Sequence, residues 1–329
     1  MLDFGNYPTP VECLAQLSTA KTALWVKRDD LTNPLYGGSK VRKLGPLLDD
    51  ALRHGAKRIV TLGALGSHHV LATGIFGKLA RLSVEAVVMP RPLSPHVLST
   101  TGASIAQGVQ LTVATSYIEA SRRLRLRVAE GCYAIPGGGS NRLGTLGLVK
   151  AAAELEAQVG AGLLPEPDLI VLALGSGGTA AGLCAGLVRT KLRTRVLGVA
   201  VAEPTQVFAR KARQLAQELV DDSARAEVSA RFEVSLDYLG RGYGVPTSAS
   251  QGASQEAVRC GLALDETYTA KAFAAALDRV ALGRDRTVLF WNTLSSADLS
   301  PLLSGGPREH ELGAEMERLF HANADAVRE

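Results

Sequence analysis

The chain has 329 residues, of which 46% are hydrophobic and 21% are charged. This length and this proportion of hydrophobic to charged residues predict that the chain folds on its own around an extensive core. We expect two lobes or one large α/β unit. The net charge of +4 is mild, so we expect no nucleic-acid or membrane partner. One basic cluster is interpreted as the solvated face of a helix: Arg122, Arg123, Arg125 and Arg127.

Short apolar runs rich in β-branched residues alternate along the chain with longer segments of helical periodicity. This alternation is typical of βαβ units around a parallel sheet, so the predicted fold class is α/β. Predicted strands cover 24–28, 58–62, 83–89, 109–114, 169–174, 195–200 and 287–291. Predicted helices cover 40–54, 68–79, 118–129, 145–159, 179–190, 203–219, 251–261 and 269–281. After Ser304 the chain turns polar, and we predict a terminal surface or dimer-contact helix there.

Cysteine usage and the N-terminus indicate the compartment. The four cysteines are far apart and form no CxxC pair, so we predict four buried thiols in a reducing environment: Cys13, Cys132, Cys184 and Cys260. The N-terminal MLDFGNYPTP lacks the basic start and apolar core of a signal peptide. No apolar run reaches the length of a membrane helix. We therefore expect a cytoplasmic protein.

The first motif is Gly37-Gly38-Ser39-Lys40, a glycine turn that places a lysine at the start of a helix. The positive end of a helix disfavours a cation and lowers the pKa of an amine there. A lowered pKa suits a lysine that forms a Schiff base. Taken alone, the motif fits an inert, solvated first-turn lysine better.

The second motif follows a predicted strand and opens a helix: Gly175, Ser176, Gly177, Gly178 and Thr179. Glycines let successive backbone N–H groups converge on an anion, and the helix dipole adds to the attraction. We interpret the motif as a phosphate-binding loop, with a plain tight turn as the alternative. It lacks the Gly-Lys-Ser/Thr ending of a nucleotide-binding P-loop.

Two further glycine-rich turns lie at Gly63–His69 and Pro136–Asn141. His68 and His69 in the first turn are adjacent, and neighbouring helical positions point about 100° apart. No carboxylate or cysteine lies close by in the sequence, so we expect no metal site. The second turn, Pro136–Asn141, is either part of a functional site or a structural crossover between elements.

Together, in this order, the motifs resemble the family of 1-aminocyclopropane-1-carboxylate (ACC) deaminase and D-cysteine desulfhydrase. These are fold type II enzymes that depend on pyridoxal 5'-phosphate (PLP). The resemblance runs from about Tyr7 to Thr293. It rests on TP at Thr9, VKRDDLT at Val26, GGSKVRKL at Gly37, GSHH at Gly66, IPGGGSN at Ile135, GSGGTAAGL at Gly175, GYGVP at Gly242 and DETYTAKA at Asp265.

The resemblance implies two lobes, each a parallel twisted sheet flanked by helices, in a homodimer that acts on a small amino acid. A smaller lobe would take about 47–150. The larger lobe would take 1–46 and 151–329, with the PLP lysine and the phosphate loop.

The resemblance also implies roles for individual residues. Lys40 would hold PLP as a Schiff base and move the α-proton of the substrate. The loop Gly175–Thr179 would bind the phosphate, and Ser67 would hold the substrate carboxylate or handle a proton. Tyr243 and Tyr268 would line the pocket, although taken alone they fit packed core phenols.

Thr269 lies where family members place a side chain against the pyridine nitrogen of PLP. ACC deaminase-like sequences read DPVYE there, and desulfhydrase-like sequences read DPVYT. A glutamate would keep the nitrogen protonated and make the ring a strong electron sink, which cyclopropane opening requires. A neutral threonine suffices when a β-substituent leaves, so the sequence favours β-elimination.

Three departures from the family pattern surround the same pocket. His68 stands where relatives carry an asparagine against the cofactor ring, and an imidazole can titrate near neutral pH. Leu71 and Ala72 replace a polar pair, and residues 292–296 read NTLSS in place of HTGG.

The predicted activity is α,β-elimination from D-cysteine to give pyruvate, sulfide and ammonia. Alternatives are another β-substituted substrate, sulfonated or hydroxylated, and a β-replacement reaction. ACC deamination is disfavoured by Thr269. A PLP-binding homologue without turnover is a further alternative, against which the retained lysine, serine and tyrosines argue.

Overall fold

The computed structural model describes residues 2–307 and 311–312. The strands are β1 (Val11–Cys13), β2 (Ala23–Lys27), β3 (Arg58–Ala64), β4 (Ser83–Met89), β5 (Gln110–Val113), β6 (Tyr133–Ile135), β7 (Leu169–Leu174), β8 (Arg195–Ala200), β9 (Phe232–Ser235) and β10 (Thr287–Trp291). The helices are α1 (Ser39–Arg53), α2 (His68–Leu79), α3 (Pro95–Ala106), α4 (Tyr117–Ala129), α5 (Arg142–Gly160), α6 (Gly178–Leu187), α7 (Thr205–Gln217), α8 (Arg225–Arg231), α9 (Ser248–Arg259) and α10 (Thr269–Leu282).

Every strand and helix predicted from the sequence within the described residues is present, with ends displaced by a few residues, so the α/β class is confirmed. The sequence missed β1, β6, β9, α3 and α8. These strands have only three or four residues, which is too short for a clear alternating pattern. The predicted helix after Ser304 falls mostly on 308–310 and 313–329, outside the described residues.

The chain divides into two compact units. The six-stranded unit contains Phe4–Lys43 and Ser140–Ala297, and the four-stranded unit contains residues 2–3, Leu44–Gly139 and the described residues from Asp298 onward. The sequence-based bounds of a smaller lobe at 47–150 stay a prediction.

The six-stranded sheet has the order β1-β2-β10-β7-β8-β9. Only its edge strand β1 is antiparallel to its neighbour. The parallel strands therefore end at one edge of the sheet, where open α/β sheets bind their ligands. At this edge the predicted phosphate loop follows β7, and residues 292–296 follow β10.

Helices cover both faces of this sheet. Because side chains alternate along a strand, Ile170 and Leu172 of β7 pack with α5, α6 and α7. Leu169 and Val171 pack on the other face with α9 and α10. Strands buried on both faces read as continuous apolar runs, which is why the sequence located β7 and β8 accurately.

Helix α6 is buried along its whole length, from Gly178 to Leu187. A Cβ atom at Gly186 would lie 2.6 Å from Cβ of Ala152 on α5. Glycine therefore lets the two helices approach closely. This packing fixes the N-terminus of α6, where the predicted phosphate loop ends.

The four-stranded sheet has the order β5-β4-β3-β6, and all its strands are parallel. On one face, α4 contributes Ala120 to a cluster with Val60 and Val87. Helices α2 and α3 pack together in the same unit. The predicted architecture of parallel sheets flanked by helices is thus confirmed.

The burial of the cysteines differs in part from the prediction. Cys132 and Cys184 are buried free thiols, as predicted, but Cys13 is exposed and Cys260 is half-buried. The prediction of four buried thiols is therefore wrong, because Cys13 lies on edge strand β1. Among the described residues, no helix combines the length and apolarity that crossing a bilayer requires.

Candidate active site

Lys40 is the second residue of α1, one position further into the helix than the sequence predicted. Gly38 before it has a φ of +93°, and the Ser39 N–H donates to the Thr293 carbonyl at 3.1 Å. The Lys40 side chain is half-buried, and desolvation lowers its pKa, although the charge of Asp265 opposes the shift. The direction agrees with the sequence argument, and the cause in the structure is burial. A lowered pKa favours the neutral, nucleophilic amine.

A buried ionic network holds the first turns of α1 in place. Arg42 donates to Asp29 at 2.7 and 2.9 Å and to Glu154 at 2.8 Å. Trp291 on β10 donates from Nε1 to Asp29 at 2.8 Å. Burial raises the pKa of Glu154, but hydrogen bonds and charge from Arg42 and then from Lys27 outweigh this effect. Together they lower the pKa of Glu154 to about 2. The network thus connects the helix that carries Lys40 to β10, one of the two middle strands of the sheet.

The predicted phosphate loop lies between β7 and α6. Gly177 has a φ of +86°, and a Cβ atom there would lie 2.7 Å from Cβ of Ala212. No side chain fits at this position. Backbone N–H groups at the first turn of α6 are unpaired within the helix, so they can bind an anion. Ser39 Oγ lies 3.4 Å from Thr179 Oγ1 and connects the loop to the start of α1.

The structure adds two residues that the sequence analysis did not assign, Lys43 and Ser140. Ser140 Oγ lies 2.7 Å from Ser176 Oγ and accepts from the Gly178 N–H at 3.2 Å. Lys43 Nζ donates to Ser140 Oγ at 3.3 Å. The Lys43 side chain is buried, and desolvation, with a contribution from the charge of Lys40, holds its pKa well below the ordinary value. The signal in the sequence was a second lysine one turn after Lys40.

Tyr243 and Tyr268 are adjacent in the six-stranded unit. Their hydroxyls form a short hydrogen bond, and their rings meet edge-on with centroids 5.8 Å apart. A Cβ atom at Gly175 would lie 3.7 Å from the Tyr268 ring, so this ring borders the glycine loop. Lys271 on α10 donates to the Leu239 carbonyl at 2.7 Å and thereby holds the loop that carries Tyr243.

Thr269 is buried, and its hydroxyl is already bonded within the chain. Thr269 Oγ1 donates to Asp265 Oδ1 at 2.8 Å and accepts from the Asp265 N–H at 2.9 Å. A hydroxyl has one donor and two lone pairs. Thr269 can therefore accept one more hydrogen bond but cannot donate another. Facing a ring nitrogen, Thr269 could only accept a hydrogen bond, so it would favour the protonated form of that nitrogen. The threonine is therefore weaker evidence against a strong electron sink than the sequence alone suggested.

Asn292 is the first residue after β10 and is fully buried. Neither its Oδ1 nor its Nδ2 has a hydrogen-bond partner among the described residues. The sequence marked residues 292–296 as a departure from the family pattern but gave Asn292 no role. Burial, which only the structure reveals, makes this amide notable.

Ser67 and His68 belong to the four-stranded unit. Ser67 caps α2, accepting from the Val70 N–H at 3.4 Å. His68 Nε2 lies 3.1 Å from Nε2 of His96, whereas His69 Nε2 contacts Thr61 Oγ1 at 2.9 Å. In residues 2–307 and 311–312, no three His, Cys, Asp or Glu side chains group as metal ligands. That Ser67 and His68 face substrate and cofactor stays a prediction of the resemblance.

Comparisons with known proteins decide the family. A family model described as pyridoxal-phosphate dependent enzyme matches residues 2–293. The chain belongs to this family. Its cofactor is PLP, and the enzyme is a PLP-dependent lyase.

Individual relatives agree with this assignment. The PLP-dependent lyase is 33% identical over 303 residues to a putative 1-aminocyclopropane-1-carboxylate deaminase of Thermotoga maritima, covering 89% of this chain and 95% of the relative. A crystal structure of an ACC deaminase homologue is 31% identical, with a TM-score of 0.76, and covers 92% of this chain and 95% of that one. A hydrogen sulfide-producing enzyme from Fusobacterium nucleatum is 13% identical with a TM-score of 0.64, covering 90% and 95%, and it shows the fold alone.

The described residues of the six-stranded unit fit the chemical groups of PLP. The loop offers backbone N–H groups, a buried lysine and the hydroxyls of Ser140, Ser176 and Thr179 for a phosphate. Lys40 offers an amine with a lowered pKa for the aldehyde. Asn292 offers a buried amide that has no partner within residues 2–307 and 311–312.

Replacing Lys43 by methionine should weaken PLP binding about 10- to 100-fold, because a charge-assisted bond contributes about 1.5–3 kcal/mol. A bound phosphate dianion would favour the charged form of this buried amine. Fluorescence titration of the cofactor-free protein measures the dissociation constant. Lys211→Met, on the exposed side of α7, is the matched control. Equal affinities for the two variants would remove Lys43 from the phosphate site.

Proposed function

We propose that this lyase eliminates the β-substituent of a small amino acid, with D-cysteine as the first candidate substrate. The supporting observation is that Thr269, rather than a carboxylate, occupies the position that the family places against the pyridine nitrogen. The products from D-cysteine and water would be pyruvate, hydrogen sulfide and ammonia. Two alternatives remain within this reaction class. The substrate could carry a sulfonated or hydroxylated β-carbon, or the enzyme could replace the β-substituent instead of eliminating it.

When bound, PLP would supply the electron sink that loss of the substrate α-proton requires. Lys40 Nζ, as a neutral amine, takes the α-proton. The paired hydroxyls of Tyr243 and Tyr268 supply a proton to the leaving group. The loop Gly175–Thr179, with Lys43, holds the phosphate. By the family resemblance, Ser67 would bind the substrate carboxylate and His68 would contact the cofactor ring.

ACC deamination is the second candidate and has specific support. The relatives at 33% and 31% identity carry ACC deaminase in their names. In addition, the Thr269 hydroxyl donates to the Asp265 carboxylate at 2.8 Å. Its oxygen can then accept a hydrogen bond from a protonated ring nitrogen. This arrangement would support a protonated nitrogen and hence ring opening.

A substrate screen separates the two candidates. The purified enzyme with PLP is given D-cysteine, L-cysteine, ACC and β-hydroxylated and β-sulfonated analogues, and keto acid, sulfide and ammonia are measured. Sulfide release in a 1:1 ratio with pyruvate, at a kcat/KM at least about tenfold above that for ACC, supports the proposal. Release of 2-oxobutanoate from ACC, with slower turnover of cysteine, supports the second candidate instead. Keto-acid release from neither substrate overturns both.

We further propose a cytoplasmic homodimer. The supporting observations are that all four cysteines are free thiols, as expected in a reducing compartment, and that the family resemblance implies a dimer. Sedimentation equilibrium of the PLP-loaded protein measures the oligomeric state.

A further inference from the structure

Four arginines line one cleft at the amino edge of the six-stranded sheet. The cleft has a volume of about 310 Å³, and its arginines are Arg193, Arg195, Arg284 and Arg286. They lie at the start of β8 and in the segments just before β8 and β10. The cleft is therefore at the opposite end of the parallel strands from the predicted phosphate loop.

The cleft is separate from the candidate active site. Asp168, which also lines the cleft, directly precedes β7, and Gly175 directly follows it. Strand β7 has six residues, a length of about 20 Å for an extended chain. A ligand in the cleft is thus too far from the loop Gly175–Thr179 to touch it.

Two carboxylates of the cleft are already bound by the backbone. Asp168 Oδ2 accepts from the backbone N–H groups of Arg286 and Thr287, at 2.7 and 2.9 Å. Glu166 Oε1 accepts from the backbone N–H of Arg193 at 2.5 Å. These bonds use the backbone of both arginines and not their guanidinium groups.

The guanidinium of Arg195 is paired with two carboxylates. It donates to Asp285 at 2.6 Å and also to Glu233. Asp285 is buried and is the third carboxylate that lines the cleft. Four arginines against three carboxylates leave one net positive charge there.

The other three guanidinium groups of the cleft have no partner in the part of the chain that the structure describes. Arg193, Arg284 and Arg286 are exposed, and none of their side chains forms an ion pair or a hydrogen bond with a described residue. Like charges on one cleft repel one another, and a bound anion removes this repulsion. A guanidinium presents its N–H donors in a planar fork that matches two oxygens of a phosphate.

We propose that this cleft binds a diphosphate group, free or as part of a nucleotide, through Arg193, Arg284 and Arg286. Three unpaired guanidinium groups match the several negative charges of a diphosphate better than the single charge of a carboxylate. The volume of the cleft lies at the lower end of the range for ligand sites, which fits a ligand of this size. The cleft is a second anion site, in addition to the phosphate loop, and its occupation does not depend on which amino acid the enzyme uses.

Calorimetric titration of the PLP-loaded enzyme with pyrophosphate tests the site. PLP fills the phosphate loop first, so a further anion must bind elsewhere. We expect one site per chain with a dissociation constant in the micromolar range. The affinity should fall several-fold in about 0.2 M sodium chloride, because salt screens exposed charges.

A parallel titration with ADP separates the two sources of a diphosphate group. Equal affinities for ADP and pyrophosphate would show that the cleft recognises the diphosphate alone. A higher affinity for ADP would show that the nucleoside adds contacts of its own. Both results support the proposed site.

The variants Arg284→Gln and Arg286→Gln each remove one unpaired guanidinium. Each should weaken pyrophosphate binding about tenfold. The melting temperature without pyrophosphate should stay at the wild-type value, because neither side chain has a partner to lose. Arg125→Gln is the matched control, since Arg125 is an exposed arginine of α4 that does not line the cleft. It should keep the wild-type affinity.

Three results would overturn the inference. One is the absence of binding of both probes at about 1 mM, a concentration at which even weak binding is detected. Another is an equal loss of affinity in Arg125→Gln, which would mean that only the total charge of the protein matters. The third is pyrophosphate binding that disappears when PLP is loaded, because the anion would then occupy the phosphate loop.

Chemical modification provides a measurement on the wild-type protein alone. Phenylglyoxal reacts with exposed arginines, and mass spectrometry gives the extent of reaction at each one. Pyrophosphate should protect Arg193, Arg284 and Arg286 and leave the modification of Arg125 unchanged. Equal modification of the three cleft arginines with and without pyrophosphate would contradict the proposed site.

Discussion

Lys40→Ala should abolish the visible absorbance of the lysine-bound cofactor and lower keto-acid release by roughly 10³-fold or more. The amine is held at the start of α1, and its burial lowers its pKa, so it is suited to attack an aldehyde and to accept a proton. Alanine removes both functions while keeping a good helix former at the position. Absorbance spectra and initial rates with the best substrate of the screen measure the effect.

The control for this variant is Lys191→Ala, at an exposed lysine of the same unit. It should match the wild type in both spectrum and rate. An unchanged spectrum in Lys40→Ala would show that another amine holds the cofactor. Lys43, one turn later on α1 and also with a lowered pKa, would then be the residue to replace next.

Asp29→Ala should lower the free energy of unfolding by about 3–5 kcal/mol, the cost of removing one partner of a buried ion pair. Asp29 is fully buried and accepts from Arg42 at 2.7 Å, from Trp291 at 2.8 Å and from Thr9 at 2.9 Å. Alanine would leave these donors buried, and the guanidinium of Arg42 would keep only Glu154 as a charged partner. Urea denaturation of the cofactor-free protein measures the change.

Asp222→Ala provides the comparison, since Asp222 pairs with Arg225 at 2.9 Å on the surface. An exposed pair contributes about 0–1 kcal/mol. Because the Asp29 network holds the turn that carries Lys40, Asp29→Ala should also bind PLP more weakly. A stability loss no larger than that of Asp222→Ala would show that the network is not important for the fold.

The extent to which the sequence predicted the structure depended on local pattern. Strands β7 and β8 were located to the residue because strands buried on both faces are continuous apolar runs. Helix α3 was missed because its segment begins in a proline-rich stretch and contains Ser, Thr and Gly. Ser94 as N-cap and Pro95 at the first helical position were signals that could have located it.

The candidate site also divides into residues that local patterns predict and residues that only the packing of the chain reveals. The sequence pattern and the family resemblance identified Lys40, the loop Gly175–Thr179 and the tyrosine pair, because each lies in a recognisable motif. They did not identify Lys43 and Ser140 as neighbours of that loop. Contacts between residues about a hundred positions apart, such as Lys43 and Ser140, depend on how helices pack rather than on any local motif.

The amino-acid sequence by itself determined the α/β class, the family and the glycine turn that presents Lys40. These follow from short-range periodicity and from motifs in register. Only the tertiary structure decided that β10 lies between β2 and β7, that the Thr269 hydroxyl is bonded to Asp265, and that Lys43 reaches Ser140 beside the phosphate loop. Burial and hydrogen-bond partners are properties of the packed chain, so no local segment contains them.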